Sequence, residues 1–294
     1  MPEIAYVNGI FSDIASARVS IEDRGFQFGD GVYEVAVVYG GEPFLLAEHM
    51  ARLRLSCDAI RLAYDFDANP LEPLIEEGLR RSGFADAMVY VQITRGVAPR
   101  HHSIPCNLTP TVVMTFKALP RVPQELRKRG AKLMTIRDNR WANCYVKATT
   151  LLPNVLAKDE ALRLEFDDAV FVTDDGEVRE CTAANIFIVE DGRLVFPPRN
   201  QSVLHGITQG YLLVCAEAIG LAVEERGFRV EALYAADEVF MSSTTMEVLG
   251  VTSVDGKRIA DGRVGTLTKR LLEEFRRRAR AAAHQRHRAV RLAS

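Results

Sequence analysis

The sequence predicts a mixed protein of the α/β (α+β) class, laid out in two parts. Three observations lead there. Strand-like apolar runs alternate with segments of helical spacing along the whole chain. Asp-Gly turn signals at 175–176 and 191–192 punctuate the second half, which then gains helices. Between the halves, Ala118 to Lys132 carries Pro120, Pro123 and a run of basic residues, the composition of a connector. The expected organisation is a small α+β domain over 1–120, a linker over 121–132 and a larger domain over 133–294 that ends in a basic tail.

The elements follow in order. Tyr33 to Tyr39 reads as a strand turned at Gly40-Gly41. Apolar residues then recur at helical spacing through Met50, Leu53, Leu55 and Ile60, and again through Leu71, Leu74, Ile75 and Leu79, before strand character returns at Val89 to Thr94 and Thr111 to Phe116. The second half opens with a strand near Leu133 and a helix over about 154–164. Hairpins turn at Asp174-Asp175-Gly176 and Asp191-Gly192. Gly206-Ile207-Thr208 leads into a helix over Gln209 to Ile219, a strand ends at Met241, Val254-Asp255-Gly256-Lys257 makes a further hairpin, and a closing helix starts at Gly265.

Composition narrows the classes of function. At 294 residues, 48% hydrophobic and 26% charged, the chain has the make-up of a globular protein. Its longest apolar runs are strand-length, below the roughly 20 residues that span a bilayer, and Met1 to Ile4 opens no signal peptide. The expected location is the cytoplasm, with no membrane partner. Five cysteines without a C-x-x-C pair fit reduced thiols, not a disulfide frame or a closed zinc site, so no metal is expected. Residues 269–294 hold nine Lys/Arg against two Glu, leaving 28 basic and 37 acidic residues before them. Without interleaved aromatics this tail reads as a solvated helix, and no nucleic-acid partner is expected.

Several residues could carry chemistry. Only seven lysines stand against 30 arginines, so a lysine in apolar surroundings is worth inspecting. Lys147, in Cys144-Tyr145-Val146-Lys147-Ala148-Thr149, is one. Burial disfavours an ammonium ion and yields the nucleophilic amine that a Schiff base needs, whereas a stem packed on the surface with its head in water is the plainer alternative. Gly206-Ile207-Thr208 offers free N–H groups at the positive end of a helix, and Met241 to Thr245 offers hydroxyls at a strand end. Each is a phosphate seat or simply a cap or turn. With no G-x-x-x-x-G-K-[ST] and no strand-borne G-x-G-x-x-G, a monophosphate group fits better than a nucleoside triphosphate or dinucleotide. Taken alone, Arg52 reads as a solvated helix charge and Arg100-His101-His102 as a polar loop, while Glu180 reads equally as a functional carboxylate or an exposed hairpin charge.

Three stretches make the chain recognisable. They are Asp23-Arg24-Gly25-Phe26-Gln27-Phe28-Gly29-Asp30-Gly31-Val32-Tyr33-Glu34, then Glu48-His49-Met50-Ala51-Arg52-Leu53, then Thr94-Arg95-Gly96-Val97-Ala98-Pro99-Arg100-His101-His102. Together they resemble the class IV aminotransferases, the pyridoxal-phosphate enzymes of fold type IV, and within them the D-amino acid branch. The likeness continues in register through Lys147 to Lys158, Glu180 to Phe187, Leu204 to Thr208 and Ser242 to Glu247, covering about residues 2 to 275. It implies a two-domain fold with pyridoxal 5'-phosphate at the interface and a homodimer. The implied activity is a ping-pong transaminase moving an amino group from a D-amino acid of the D-alanine or D-glutamate type to a 2-oxo acid.

The resemblance also implies roles. Lys147 falls on the Schiff-base lysine, which also moves the proton at the substrate Cα. Glu180 falls on the carboxylate facing the pyridine nitrogen. Arg52, Ile207, Thr208, Ser243 and Thr244 fall on the phosphate donors, and Leu204 on a further cofactor contact. Tyr33, Arg100 and His102 fall on the substrate-carboxylate clamp, with Arg100 and His102 reaching the active site of the neighbouring subunit. Three features depart from the family pattern: Cys181-Thr182-Ala183-Ala184 replaces a serine-rich run, His101 sits between the clamp residues, and Gln209 replaces a basic residue. Branched-chain L-aminotransferases, R-selective amine transaminases and aminodeoxychorismate lyases share the lysine, glutamate and phosphate seats. The pair Arg100 and His102 favours the D-amino acid type over them. A non-catalytic nucleotide or nucleic-acid binder is the rival of another class, and it lacks aromatic stacking platforms.

Overall fold

The computed structural model describes the backbone of residues 2–293 and the side chains of residues 2–281. The chain divides into two compact units, the first comprising Met1–Pro120, Val146–Thr150 and Ala279–Ser294, the second Arg121–Tyr145 and Leu151–Arg278.

The first unit is built on a six-stranded antiparallel sheet, with strands β1 (Ile4–Val7), β2 (Ile10–Asp13), β3 (Gly31–Tyr39), β4 (Glu42–Phe44), β5 (Ala87–Thr94) and β6 (Thr111–Ala118) in the order β2-β1-β6-β5-β3-β4. β5 and β6 alternate buried and partly exposed residues, the period expected of a sheet with one face covered. Helices α2 (Leu46–Ala59) and α3 (Glu72–Ser82) supply the cover, α2 against β3 and α3 against β6 and β1. A five-residue helix α1 (Arg24–Phe28) precedes β3. The Asp23 carboxylate caps it by accepting from the Gly25 N–H, and Gly29 closes it with a left-handed backbone.

The second unit holds nine strands, β7 (Ala131–Arg137), β8 (Asp168–Val172), β9 (Val178–Cys181), β10 (Asn185–Glu190), β11 (Arg193–Phe196), β12 (Val223–Glu225), β13 (Glu238–Ser243), β14 (Glu247–Val254) and β15 (Lys257–Arg258). Eight run in the order β12-β11-β10-β13-β14-β7-β8-β9, and β15 pairs with β14. Parallel pairs at β11/β12, β14/β7 and β7/β8 make this a mixed sheet. β8 is buried at every position, as a strand covered on both faces should be. Leu133, Val170, Ile186, Ile188, Met241 and Val251 form part of its core, and the facing pair Phe187 and Phe240 stacks at 4.7 Å. Helices α5 (Leu152–Arg163), α6 (Ile207–Ala218), α7 (Val230–Ala235) and the part of α8 (Thr266–Ala293) up to Arg278 complete it. The Glu238 carboxylate accepts the Leu267 and Thr268 N–H groups at the start of α8, where an anion offsets the helix dipole.

The stretch 121–132, expected as a linker, instead holds helix α4 (Gln124–Arg129) and the start of β7. Arg127 donates to the carbonyls of Met246 and Val248, so the segment is pinned within the second unit, and Pro123 serves as the helix N-cap rather than as part of a tether. The side chains of the basic tail from residue 282 onward lie outside the described residues. No helix among the described residues is long and apolar enough to cross a membrane.

Candidate active site

In the first unit, β3 sends the adjacent residues Tyr33 and Glu34 to opposite faces, and each begins a cluster. On one side, the Tyr33 N–H donates to the Lys147 carbonyl at 2.9 Å and Val32 bridges to Ala148. The Thr149 hydroxyl donates to the Gly29 carbonyl at 2.8 Å. The short segment 146–150 is thus laid antiparallel along the start of β3, which fixes the Lys147 backbone. The Lys147 amine rests 4.3 Å from the centre of the Tyr33 ring, and among the described residues no carboxylate pairs with it. This is a partly buried amine on an aromatic face, not a head held by a surface ion pair.

On the other side, Glu34 is fully buried and accepts from Arg52 Nε at 2.6 Å and Nη2 at 2.9 Å, while His49 Nδ1 lies 2.8 Å from its second oxygen. Burial would raise this carboxyl, but the Arg52 guanidinium and the His49 hydrogen bond outweigh it and hold it at about 2. Arg52 is only 9% exposed, which removes its reading as a solvated helix charge. His49, Arg52 and Ser56 share one face of α2, at the three- and four-residue spacings of a helix. Ser56 Oγ accepts the Lys147 N–H at 3.2 Å, so the helix that carries Arg52 also braces the lysine segment.

Arg100 and His102 lie exposed in the loop after Gly96. They make no hydrogen bond, ion pair or ring contact with Tyr33 or Lys147 among the described residues. Both instead meet Phe28, the Arg100 guanidinium carbon 4.5 Å from the ring centre and the His102 ring edge-on at 5.7 Å. His101 turns back locally, its Nδ1 2.6 Å from Ser103 Oγ.

In the second unit, Glu180 stands near the end of β9 and is 6% exposed, so it is no exposed hairpin charge. It accepts the Leu204 N–H at 3.0 and 3.2 Å and Arg140 Nη1 at 2.5 Å. Arg140 is itself held by Asp138 and lies over the Phe171 ring at 4.2 Å. Asn185 ties the neighbouring parts together. Its amide donates to the Leu204 carbonyl at 2.8 Å, its backbone pairs with Ser242 across β10 and β13, and its Oδ1 would lie 2.0 Å from any Cβ placed on Gly206. Only glycine fits at that point, directly before the first turn of α6, where Ile207 and Thr208 present backbone N–H groups. Leu204, Gly206 and Ser242 are therefore tied to one asparagine, and Glu180 joins them through the Leu204 N–H.

Two observations here bear on a phosphate-bearing ligand. Ser242 Oγ is buried with no hydrogen-bond partner among the described residues, an arrangement that costs about 1 to 3 kcal/mol unless something else satisfies it. The N-terminus of α6 presents backbone N–H groups at the positive end of the helix dipole, the polarity that an anion requires. Glu247, at a positive φ of 64°, ends the turn and is gripped by Arg127 at 3.0 Å and Arg276 at 2.6 Å, which holds residues 243–246 in place. The chain's departures at two positions take structural roles. Gln209 Oε1 accepts the Gly206 N–H at 3.3 Å, and the Thr182 hydroxyl donates to Asp168 at 2.6 Å. No cluster of metal-binding side chains occurs among the described residues.

With this geometry in hand, the family comparison is decisive, because the model of the amino-transferase class IV family matches residues 31–254, from the start of β3 to the end of β14. The chain belongs to the class IV aminotransferases. This class IV aminotransferase is 37% identical over 270 residues to a D-alanine aminotransferase of Staphylococcus epidermidis, covering 92% of this chain and 95% of that protein. It is 39% identical over 272 residues to a D-alanine aminotransferase of Listeria monocytogenes, with 92% and 93% covered. Among solved structures it resembles a branched-chain amino acid aminotransferase of Escherichia coli at a TM-score of 0.84 and 28% identity, covering 92% of each chain. It also resembles a T.th. branched-chain amino acid aminotransferase with pyridoxamine 5'-phosphate, at a TM-score of 0.87 and 26% identity, with 95% and 94% covered.

Sequence reasoning gave no role of their own to Glu34, His49, Arg140 and Asn185 in this class IV aminotransferase. Each acts by burial and long-range pairing, and no local spacing announces that. Glu34 carried one legible signal: it is an acidic residue inside a run of β-branched and aromatic residues, where an unpaired charge would be costly.

Proposed function

We propose that this class IV aminotransferase uses pyridoxal 5'-phosphate to move the amino group of a D-amino acid, of the D-alanine or D-glutamate type, to a 2-oxo acid. It does so as a cytoplasmic homodimer. The observation that carries the reading is the Lys147 amine, partly buried over Tyr33 with no carboxylate partner among the described residues, in a chain whose 37–39% identical relatives are D-alanine aminotransferases.

When bound, the cofactor supplies an aldehyde that takes up the amino group and a ring that accepts electrons from the substrate Cα. Lys147 would hold that aldehyde, and its amine would move the proton at the substrate Cα. Glu180 would face the pyridine nitrogen and favour its protonated form. Arg52, the N–H groups of Ile207 and Thr208, and the hydroxyls of Ser243 and Thr244 are assigned to the phosphate, with Leu204 beside the ring. Tyr33, Arg100 and His102 are assigned to the substrate carboxylate, the last two from the partner subunit. The side on which the carboxylate is clamped decides which enantiomer turns its Cα hydrogen toward Lys147, and hence the preference for D-amino acids.

Incubation with D- or L-alanine plus 2-oxoglutarate, followed by chiral resolution of the glutamate formed, tests this. Turnover of D-alanine to D-glutamate is expected. The branched-chain structures of similar fold favour a second reading, L-amino acid transfer, which predicts L-glutamate from L-alanine or L-leucine instead. Lys147→Ala is expected to lose both turnover and the yellow colour of the purified enzyme after dialysis. Retention of either would count against the assignment of that lysine.

A further inference from the structure

We infer that Arg24, acting with Phe28, is a positioning residue for the substrate-carboxylate clamp: it fixes the loop that carries Arg100 and His102 and so sets the affinity for the carboxylate group. The inference rests on the clamp reading given above.

The loop begins at Gly96 and runs to β6. Its first residues are held by backbone, since Asp23 bridges to Val97 and the Ala98 N–H donates to the Glu22 carbonyl at 3.1 Å. From Pro99 to Ser103 this support stops. Among the described residues, two arms then connect this stretch to the rest of the chain by hydrogen bonds. Arg24 Nη1 donates to the carbonyls of His101 at 2.8 Å and Ser103 at 3.4 Å, the two that flank His102. Arg100 Nη1 reaches the other way, to the Gln27 carbonyl at 3.1 Å. Both arms end on α1, and both guanidinium groups lie over the Phe28 ring, Arg24 at 4.9 Å and Arg100 at 4.5 Å, with His102 edge-on to it. One short helix therefore anchors both clamp side chains.

Arg24 is unusual for its setting. It is 4% exposed, and it shares one carboxylate with a second buried arginine: Arg24 Nε donates to Asp30 at 2.8 Å and Arg95 Nε at 2.9 Å. Burying two cations on one anion is costly, and Arg95 alone would neutralise Asp30. What Arg24 adds is the fork to the loop, which needs a planar group able to bond Asp30 and two carbonyls together. A lysine ammonium cannot span all three in this geometry.

The test uses the holoenzyme and compares Arg24→Lys, Phe28→Leu and Arg100→Ala with wild type. Four readouts are taken: KM and kcat for D-alanine, the competitive Ki of propionate, which has the carboxylate but no amine, and the visible spectrum of the bound cofactor. Arg24→Lys and Phe28→Leu are expected to raise KM and the propionate Ki together by about tenfold, with kcat within about threefold and the spectrum unchanged. A role in stability alone would leave the propionate Ki of the folded enzyme where it is. If Arg100→Ala raises both constants while Arg24→Lys and Phe28→Leu leave them unmoved, the clamp reading stands and this inference falls. It also falls if kcat or cofactor binding is lost with KM unmoved. If Arg100→Ala itself changes neither constant, the clamp reading fails first. Should Arg24→Lys not fold, Phe28→Leu, which keeps an apolar side chain and removes the ring face, decides alone.

Discussion

Glu34 shows how a single buried residue can tie stability to pH. Its carboxylate is fully buried, yet Arg52 and His49 hold its proton affinity down to about 2. The sign of the resulting pH dependence follows directly. A carboxyl depressed in the folded state contributes stability that is fully present above its unfolded value, near 4.5, and is lost as the pH falls toward 2. Glu34→Gln should therefore flatten the loss of melting temperature between about pH 4.5 and 2. It should also lower stability at neutral pH by about 3 to 5 kcal/mol, because it leaves the Arg52 charge uncompensated. Thermal melts of both proteins across that range check this. Lys147, Arg52 and Glu180 were legible in the sequence through their place in a long, in-register pattern. The residues that condition them were not, because Arg140 and Glu34 do their work through partners 40 and 18 positions away, and pairing at such distance leaves no spacing to read.

Among elements, the N-terminus of α6 is the one whose geometry leaves least freedom. Gly206 must lack a side chain because Asn185 Oδ1 occupies the place of its Cβ, and Asn185 cannot retreat without losing the Leu204 carbonyl. Gly206→Ala is expected to shift the first turn of α6 and to weaken pyridoxal phosphate by about tenfold or more, the equivalent of a modest overpacking cost. Titration of the apoenzyme with the cofactor, followed by absorbance, measures it. Unchanged affinity would remove α6 from the phosphate site. Elements of ten residues or more, such as α2, α3 and α6, announced themselves by periodicity, and the hairpins by their Asp-Gly turns. α1 and α4, of five and six residues, did not, since fewer than two helical turns cannot display a 3.6-residue pattern. The expected linker over 121–132 misread α4 for that reason: its prolines and charges are those of a connector, and only the tertiary bonds of Arg127 distinguish the two.

For the whole molecule, the mixed class and the presence of two parts followed from the sequence, but not the way the chain is shared between them. Val146–Thr150 belongs with the first unit although it is flanked on both sides by the second. The proposed catalytic lysine thus rides on a segment paired with β3, more than a hundred residues earlier, and no local signal could reveal that register. Among the described residues, Arg100 and His102 meet neither Tyr33 nor Lys147 of their own chain, which makes a definite prediction about assembly. Sedimentation should give a species of twice the 32.7 kDa chain mass, with turnover per chain falling on dilution into monomers. A fully active monomer would contradict a clamp supplied by a second subunit.

The most direct test of Lys147 as the cofactor's anchor is borohydride reduction of the holoenzyme followed by peptide mapping, which fixes the cofactor to whichever amine holds its aldehyde. Seven lysines compete for the label. One phosphopyridoxyl group per chain is expected, on the peptide that contains Lys147. Label on any other lysine, or on none, would contradict that assignment.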